Sequence, residues 1–358
     1  MPNMLDDSSI DWAIEFISRH SDGDLFPRIL EIEAISENKN DFITEIQKES
    51  PTPVIGACRR FIVQKDELSY RQATQLYPQD SIILTALIYQ YGHGIEKRRQ
   101  NKRFVYSYRF NPDMDVGLYS SERNYEKFWN NALKKANKGC VLYCDIADFY
   151  NQIYHHSLEN QLAESDFPNQ AIKWIIKLLN STTANVSRGI PVGPHATHIL
   201  AEAAMIPIDN SLIDKGIKFM RYADDILVFC KNPHHAKVTL AEIASTLDKQ
   251  QRLMLQRHKT RIMNPVEFKN VYDGILENRT QFEDVDEIYE IIDKYSDGDP
   301  YATIGYLEMD DEDRESITEE IIERIIDEYL EEQSIDYSSL KWFYRRLSQI
   351  GHPGAMNV

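Results

Sequence analysis

Asp224 and Asp225 stand side by side between two runs that read as β-strand, within KFMRYADDILVFC at residues 218–230. Ile217 and Phe219 flank Lys218 in a partial alternation that continues to Tyr222, and Ile226–Phe229 is continuously apolar. That pattern predicts a strand, a tight turn and a buried strand. Two carboxylates at the tip of a largely buried hairpin lose hydration and repel each other unless a cation neutralises them. Oxygen ligands of this kind suit Mg²⁺. An isolated Asp pair also fits a solvated turn; the apolar strands on both sides raise the metal reading above it. Consecutive residues of an extended chain point to opposite sides. Asp224 is therefore expected to be the full metal ligand, with Asp225 supporting the metal or the reactive end.

A two-metal site needs a further carboxylate from elsewhere in the chain. CVLYCDIADFY, residues 140–150, offers Asp145 at the end of a short apolar run that follows the basic, polar stretch LKKANKG. This is the pattern of a central strand ending at Asp145. Asp148 falls where the chain turns into a helix, a position that suits an N-cap.

DIADFY, GIPVGPHAT and YADD, in that order and at this spacing, resemble motifs A, B and C of a reverse transcriptase. LMLQRHKTRI, with Lys259 and Thr260, resembles motif D after an amphipathic helix over His235–Gln250. The order and spacing match covers residues 140 to about 262. RGIPVGPHATHILAEA (188–203), SYRF (107–110) and SDGDLFPRILEIEAI (21–35) are similar to the bacterial abortive-infection and defence-associated reverse transcriptases. The resemblance implies an α+β right-hand polymerase with fingers, a palm of antiparallel strands and a helical thumb. It implies RNA-directed DNA synthesis with two Mg²⁺ ions, Mn²⁺ being the alternative, from dNTPs on an RNA template. A dedicated non-coding RNA, a DNA product and an antiviral (phage) defence role go with it. Template-independent or protein-primed synthesis and a non-catalytic RNA-binding scaffold are the competing functions. A partner protein or a homo-oligomer stays open.

The resemblance also distributes roles. Asp145 and Asp224 bridge the metals, Asp225 completes the acidic cluster, and the Ile146 carbonyl adds an oxygen ligand. Tyr150 takes the aromatic gate position that collides with a ribose 2′-hydroxyl. Gly189 and Gly193 bracket a loop stiffened by Pro191, where the backbone comes close to a nucleotide; Gly193 is the candidate contact. Val192 and Thr197 depart from the retroviral pattern here. Lys65 and Arg71 resemble the basic residues that hold the triphosphate, a task for which the arginine fork is suited; surface charge on a solvated hairpin competes for Lys65. Lys259 is expected to act as general acid toward pyrophosphate or to be a surface lysine before a strand. Lys97, Arg98, Arg99, Lys102 and Arg103 form a basic cluster placed to follow a nucleic-acid backbone. Tyr106, Tyr108 and Phe110 alternate after it, suggesting a strand whose rings pack in the core or stack bases.

Charge distribution sharpens this reading. A net charge of −17 over 358 residues is unusual for a chain that handles nucleic acid. Yet residues 51–110 carry +6 and residues 111–270 carry +2, whereas residues 1–50 carry −8 and residues 271–336 carry −20. The acid lies outside the segment that bears the motifs. Apolar stripes at Val285, Ile288, Ile291 and Ile292, and from Ile317 to Tyr329, predict helices with solvated acidic faces rather than an acidic tail. The expected organisation is a helical extension at 1–50, fingers at 51–135, a palm at 136–275 and an acidic helical thumb at 276–358. Cys58, Cys140, Cys144 and Cys230 lack zinc spacing and are expected as free thiols in a reducing cytoplasm. The acidic start MPNMLDDSSI does not resemble a signal peptide, and no window approaches a membrane span.

Overall fold

The computed structural model describes residues 4–20, 29–48, 54–66, 69–120, 124–277, 283–296, 304, 309–331 and, near the C-terminus, 340, 343, 344, 346, 347 and 350. Helices α1 (Asp7–His20), α2 (Leu30–Glu37) and α3 (Lys39–Lys48) come first. A hairpin of β1 (Arg59–Asp66) and β2 (Ser69–Gln75) leads to α4 (Pro78–Arg98), the hairpin β3 (Phe110–Asp113) and β4 (Gly117–Tyr119), and α5 (Tyr125–Lys135). Then come β5 (Cys140–Asp145), α6 (Phe149–Gln152), α7 (His155–Glu164), α8 (Asn169–Thr182) and α9 (His195–Asp214). Strands β6 (Phe219–Tyr222) and β7 (Asp225–Cys230), helix α10 (Pro233–Gln251), β8 (Arg261–Met263) and α11 (Pro265–Glu277) complete the motif-bearing stretch. Helices α12 (Glu283–Ser296), α13 (Asp311–Ser316) and α14 (Glu319–Glu331) follow.

The chain is mixed α and β, and its largest sheet is antiparallel in the order β6-β7-β5-β8. The central strands are the two that the apolar runs predict. Val141, Leu142 and Cys144 of β5 and Ile226, Leu227 and Val228 of β7 are buried, as strands covered on both faces must be. Helix α9 packs against α4, α7 and α10. It is apolar nearly all round, from Ile199 to Leu212, which marks a helix inside the core rather than on its surface. Gly139, at φ +74, immediately precedes β5, where an added Cβ would stand 2.1 Å from the Cys230 carbonyl oxygen. Only glycine permits that close approach.

Two compact units make up the chain. The larger comprises Met1–Ser18, Asp22–Arg60 and Ala73–Tyr272; the smaller comprises Arg19–Ser21, Phe61–Gln72 and Asp273–Val358. The smaller unit has its own core, with Val285, Ile288 and Ile292 of α12 packed with Ile322, Ile325 and Tyr329 of α14. The apolar stripes of the acidic segment therefore face inward, though the second is broken at Ile317 between α13 and α14. Its acids are partly compensated within the unit: Lys294 bridges Asp310 at 3.1 Å and Asp313 at 2.6 Å.

Two local expectations change. Tyr106–Phe110 is not a strand: Val105 makes an isolated bridge to Arg221, Tyr108 sits at φ +43, and β3 begins only at Phe110. Asp148 precedes α6 as expected but makes no cap bond to backbone; its carboxylate accepts from Asn151 Nδ2 at 2.6 Å and Gln152 Nε2 at 3.2 Å. Residues 21–28, which open the 21–35 stretch of family similarity, lie outside the described residues. Cys58 is half-buried and Cys140, Cys144 and Cys230 are buried, all as free thiols. No helix among the described residues is long and apolar enough to cross a membrane.

Candidate active site

Strands β5 and β7 run antiparallel in a register that sets Asp145 directly opposite Asp225. Tyr222 pairs with Asp225 across β6 and β7, so Ala223 and Asp224 form a two-residue turn. Ala223 adopts φ +49, a conformation that glycine usually supplies in such hairpins and that costs a side-chain-bearing residue about 1 kcal/mol. The turn is tied down on two sides. Ile146 N donates to the Asp224 carbonyl at 3.2 Å, and Arg221 donates to the Ala223 carbonyl at 2.9 Å. Beyond β5 the chain is stitched to 254–256, with Ala147 N donating to Met254 O at 2.9 Å and Gln256 N to Asp145 O at 2.7 Å. Three carboxylates from two distant stretches of sequence thus share one end of the sheet.

Their electrostatics follow from burial. Burial, and then the neighbouring Asp224, push Asp225 up to about 7, although the Tyr143 hydroxyl donates to its Oδ1 at 2.7 Å and works in the opposite direction. Burial and Asp225 likewise raise Tyr125 to about 12 and hold the Tyr143 phenol far above its ordinary range. Asp145 is 5% exposed, and Lys259 Nζ reaches its Oδ2 at 2.9 Å. Burial lowers the affinity of Lys259 for its proton, but the bond and attraction to Asp145 outweigh this and raise its pKa. Lys259 is therefore neither remote from the carboxylates nor a plain surface lysine. Among the described residues no three His, Cys, Asp or Glu side chains stand close enough together to hold a metal ion as they are. The donor set is nonetheless one of hard oxygens, and Asp225 is raised first by burial and then by the like charge of Asp224, both of which a bound cation would offset. These residues fit a divalent cation in donor type and in charge.

A polar network lies beneath the turn. Arg221 is wholly buried, and its guanidinium donates to Glu202 at 2.8 and 3.1 Å and to Asp209 at 2.8 and 2.6 Å. Arg99 donates to Glu202 at 2.6 Å and to the Ser107 and Tyr108 carbonyls, each at 2.7 Å; Ser107 Oγ donates to Glu202 at 2.6 Å. Burial alone would raise Glu202, but Arg221 and Arg99 outweigh it and hold Glu202 at about 2. Asp209, with one arginine partner, is raised by burial.

This network corrects the basic cluster. Arg99 is buried and committed to Glu202, Glu96 and two carbonyls, so it has no donor face for phosphate. Arg98 joins α4 to α7 through Gln161, Ser165 and Glu164. Lys97, Lys102 and Arg103 are exposed. The residues that sequence reasoning missed are Glu202, Asp209 and Arg221. Their signal was two acids on an otherwise apolar helix, which burial obliges to find cationic partners.

Tyr150, on α6, is half-buried, and its hydroxyl lies 2.6 Å from His198 Nδ1. His198 stacks on Tyr108 with centroids 4.2 Å apart, and Tyr108 also meets Tyr119 and Tyr222. Burial, then Asp224, raise the Tyr150 phenol well above its usual range. Tyr150 is thus joined electrostatically to the carboxylate end, and His198 sits inside an aromatic cluster. Gly189 and Gly193 adopt φ +98 and +133, and Val192 O accepts from Thr74 N at 2.9 Å. Lys65 lies on β1 with its side chain outside the described residues. Arg71 is exposed on β2, in the smaller unit.

A family model described as reverse transcriptase (RNA-dependent DNA polymerase) matches residues 65–283, more than half of the chain. No curated protein matches it.

Proposed function

The chain belongs to the reverse transcriptase family and is an RNA-directed DNA polymerase; on that footing we propose that Asp145, Asp224 and Asp225 are its catalytic carboxylates, serving Mg²⁺. The observation that carries this reading is the β5–β7 register, which sets Asp145 against Asp225 beside the Asp224 turn. Bound divalent ions would neutralise the attacking 3′-hydroxyl oxygen and the leaving pyrophosphate in an in-line displacement at the α-phosphorus. Asp145, Asp224 and the Ile146 carbonyl would hold those ions, and Asp225, fixed by Tyr143, would complete the cluster. Lys259, bonded to Asp145, would exchange that partner for a pyrophosphate oxygen and deliver a proton there.

Tyr150 is the proposed sugar gate, favouring dNTPs, with Gly193 as the backbone contact to nucleotide. Lys65 and Arg71 are proposed to bind the triphosphate, and Lys97, Lys102 and Arg103 the nucleic-acid backbone. Fingers, palm and thumb are proposed at residues 51–135, 136–275 and 276–358. Similarity at 107–110 and 188–203 supports a place among bacterial defence-associated members acting with a non-coding RNA. The experiment is dNTP incorporation on a primed RNA template by the parent chain and by Asp224→Asn with Asp225→Asn. At least a thousandfold loss in the variant is expected from removing both charges (about 4 kcal/mol). Equal incorporation by the two proteins would overturn the catalytic assignment, while sequencing of copurifying RNA tests the proposed template.

A further inference from the structure

At the end of the β6–β7 hairpin opposite the Asp224 turn, a cavity of about 380 Å³ is lined by Arg103, Phe104, Lys135, Lys218, Phe219 and Phe229. Phe229 lies four residues beyond Asp225 on β7, roughly 13 Å away at about 3.3 Å per residue. The cavity is therefore separate from the carboxylates. Phe104 and Phe219 stack with centroids 5.6 Å apart. The Arg103 guanidinium lies 4.7 Å from the Phe104 ring centre, and Lys135 Nζ 5.8 Å from that of Phe229. Arg103, Lys135 and Lys218 are all exposed, and among the described residues no acidic side chain contributes to the lining. Phe104 and Phe229 are half-buried, Phe219 is buried behind Phe104, and three cations rim them on a chain with a net charge of −17.

We propose that this cavity is a second binding site for single-stranded nucleic acid, holding a base against Phe104 and Phe229 and its flanking phosphates on Lys135, Lys218 and Arg103, the last being shared with the backbone path proposed above. The proposal rests on the reading of the chain as an enzyme that handles a nucleic-acid strand, and it adds a holding point outside the catalytic end. Flat apolar rings beside cations match the two faces of a nucleotide, since bases stack on aromatic side chains while lysine and arginine follow the backbone. An acidic protein segment would satisfy the cations and gain nothing from the rings. A chain whose overall charge repels polyanions needs local basic patches to retain one. This patch uses residues from the 101–104 turn, the end of α5 and both hairpin strands, so it exists only in the folded chain.

The test is binding of a fluorescein-labelled 12-mer of oligo(rU) carrying one 4-thiouridine to the full chain, with dNTPs omitted, over a range of salt. Lys135→Glu with Lys218→Glu is compared with Lys134→Glu, an exposed lysine on the same helix outside the cavity. The double variant is expected to bind about tenfold more weakly, with the log–log salt slope smaller by about 1.4, two phosphate contacts' worth for a single strand. In the parent chain, photocrosslinks are expected in peptides containing Phe104 or Phe229, and these disappear in the double variant. A loss no greater than that of Lys134→Glu would overturn the proposal. So would crosslinks absent from both peptides, or competition by polyglutamate as effective as that by unlabelled oligo(rU). Binding is read without dNTPs, so a chain that binds in this way yet incorporates nothing in the separate dNTP assay refutes the catalytic reading and leaves this site standing.

Discussion

Asp225→Asn is expected to stabilise the metal-free protein at alkaline pH while removing one of the proposed catalytic charges. Asp225 is raised to about 7 in the folded chain from an ordinary 3.8, first by burial and then by Asp224. A tenfold change in proton affinity is worth about 1.4 kcal/mol, so ionising this carboxylate in the fold costs up to about 4 kcal/mol. Solvent at the half-buried side chain reduces that to about 2–4 kcal/mol. The sign is opposite to that of a salt-bridged aspartate. Below pH 3.8 the group is protonated in both states and costs nothing. Between 3.8 and about 7 the unfolded chain releases the proton and the folded chain keeps it, so stability falls as pH rises; above 7 the loss is complete. Asparagine removes the charge and still offers Tyr143 an oxygen at Oδ1. Urea denaturation in EDTA, followed by tryptophan fluorescence, should therefore show the variant ahead by about 2–4 kcal/mol at pH 8 and by about 1–2 kcal/mol at pH 5. Added Mg²⁺ should stabilise the parent more than the variant and close the gap, since a ligand stabilises the state that binds it. A variant no more stable than the parent at pH 8, or one with the same gain at both pH values, would refute the reasoning.

Two further substitutions address what supports the site. Arg221→Met leaves Glu202 and Asp209 buried with one fewer cation, and should cost about 3–5 kcal/mol in chemical denaturation; adding Asp209→Asn should recover part of it, and a cost below about 1 kcal/mol would contradict the buried network. Tyr150→Ala should reduce dNTP-over-rNTP selectivity at least tenfold (about 1.4 kcal/mol), whereas Tyr150→Phe, which loses only the bond to His198, should lose less; unchanged selectivity in Tyr150→Ala would remove the gate role.

The sheet and the carboxylates were readable because continuous apolar runs and buried like charges are local signals. CVLYC and ILVF each announce a covered strand, and an acid at each strand end demands a cation. The register that sets Asp145 against Asp225 was not readable, because pairing depends on the whole sheet. Arg99 and Arg98 were misread for a related reason. A run of Lys and Arg looks the same whether its donors face phosphate or a buried glutamate 103 residues away, and only the apolar character of α9 hinted at the second. Tyr108 misled through its neighbours: alternating aromatics imply a strand, but a left-handed residue stacked on His198 breaks the alternation.

The buried network also accounts for how this chain tolerates its own site. The hairpin tip concentrates unfavourable terms: like charges at Asp224 and Asp225, and an alanine at positive φ. Such strain persists only where the surroundings over-determine the geometry. Here they do so from below, because Arg221 binds the turn carbonyl with the same guanidinium that locks it to α9 through Glu202 and Asp209. A hydrophobic residue at 221 would pack more cheaply than a desolvated ion triad, but it would offer the Ala223 carbonyl no donor. The arginine's value therefore lies in fixing where two repelling carboxylates stand before any cation arrives to reconcile them.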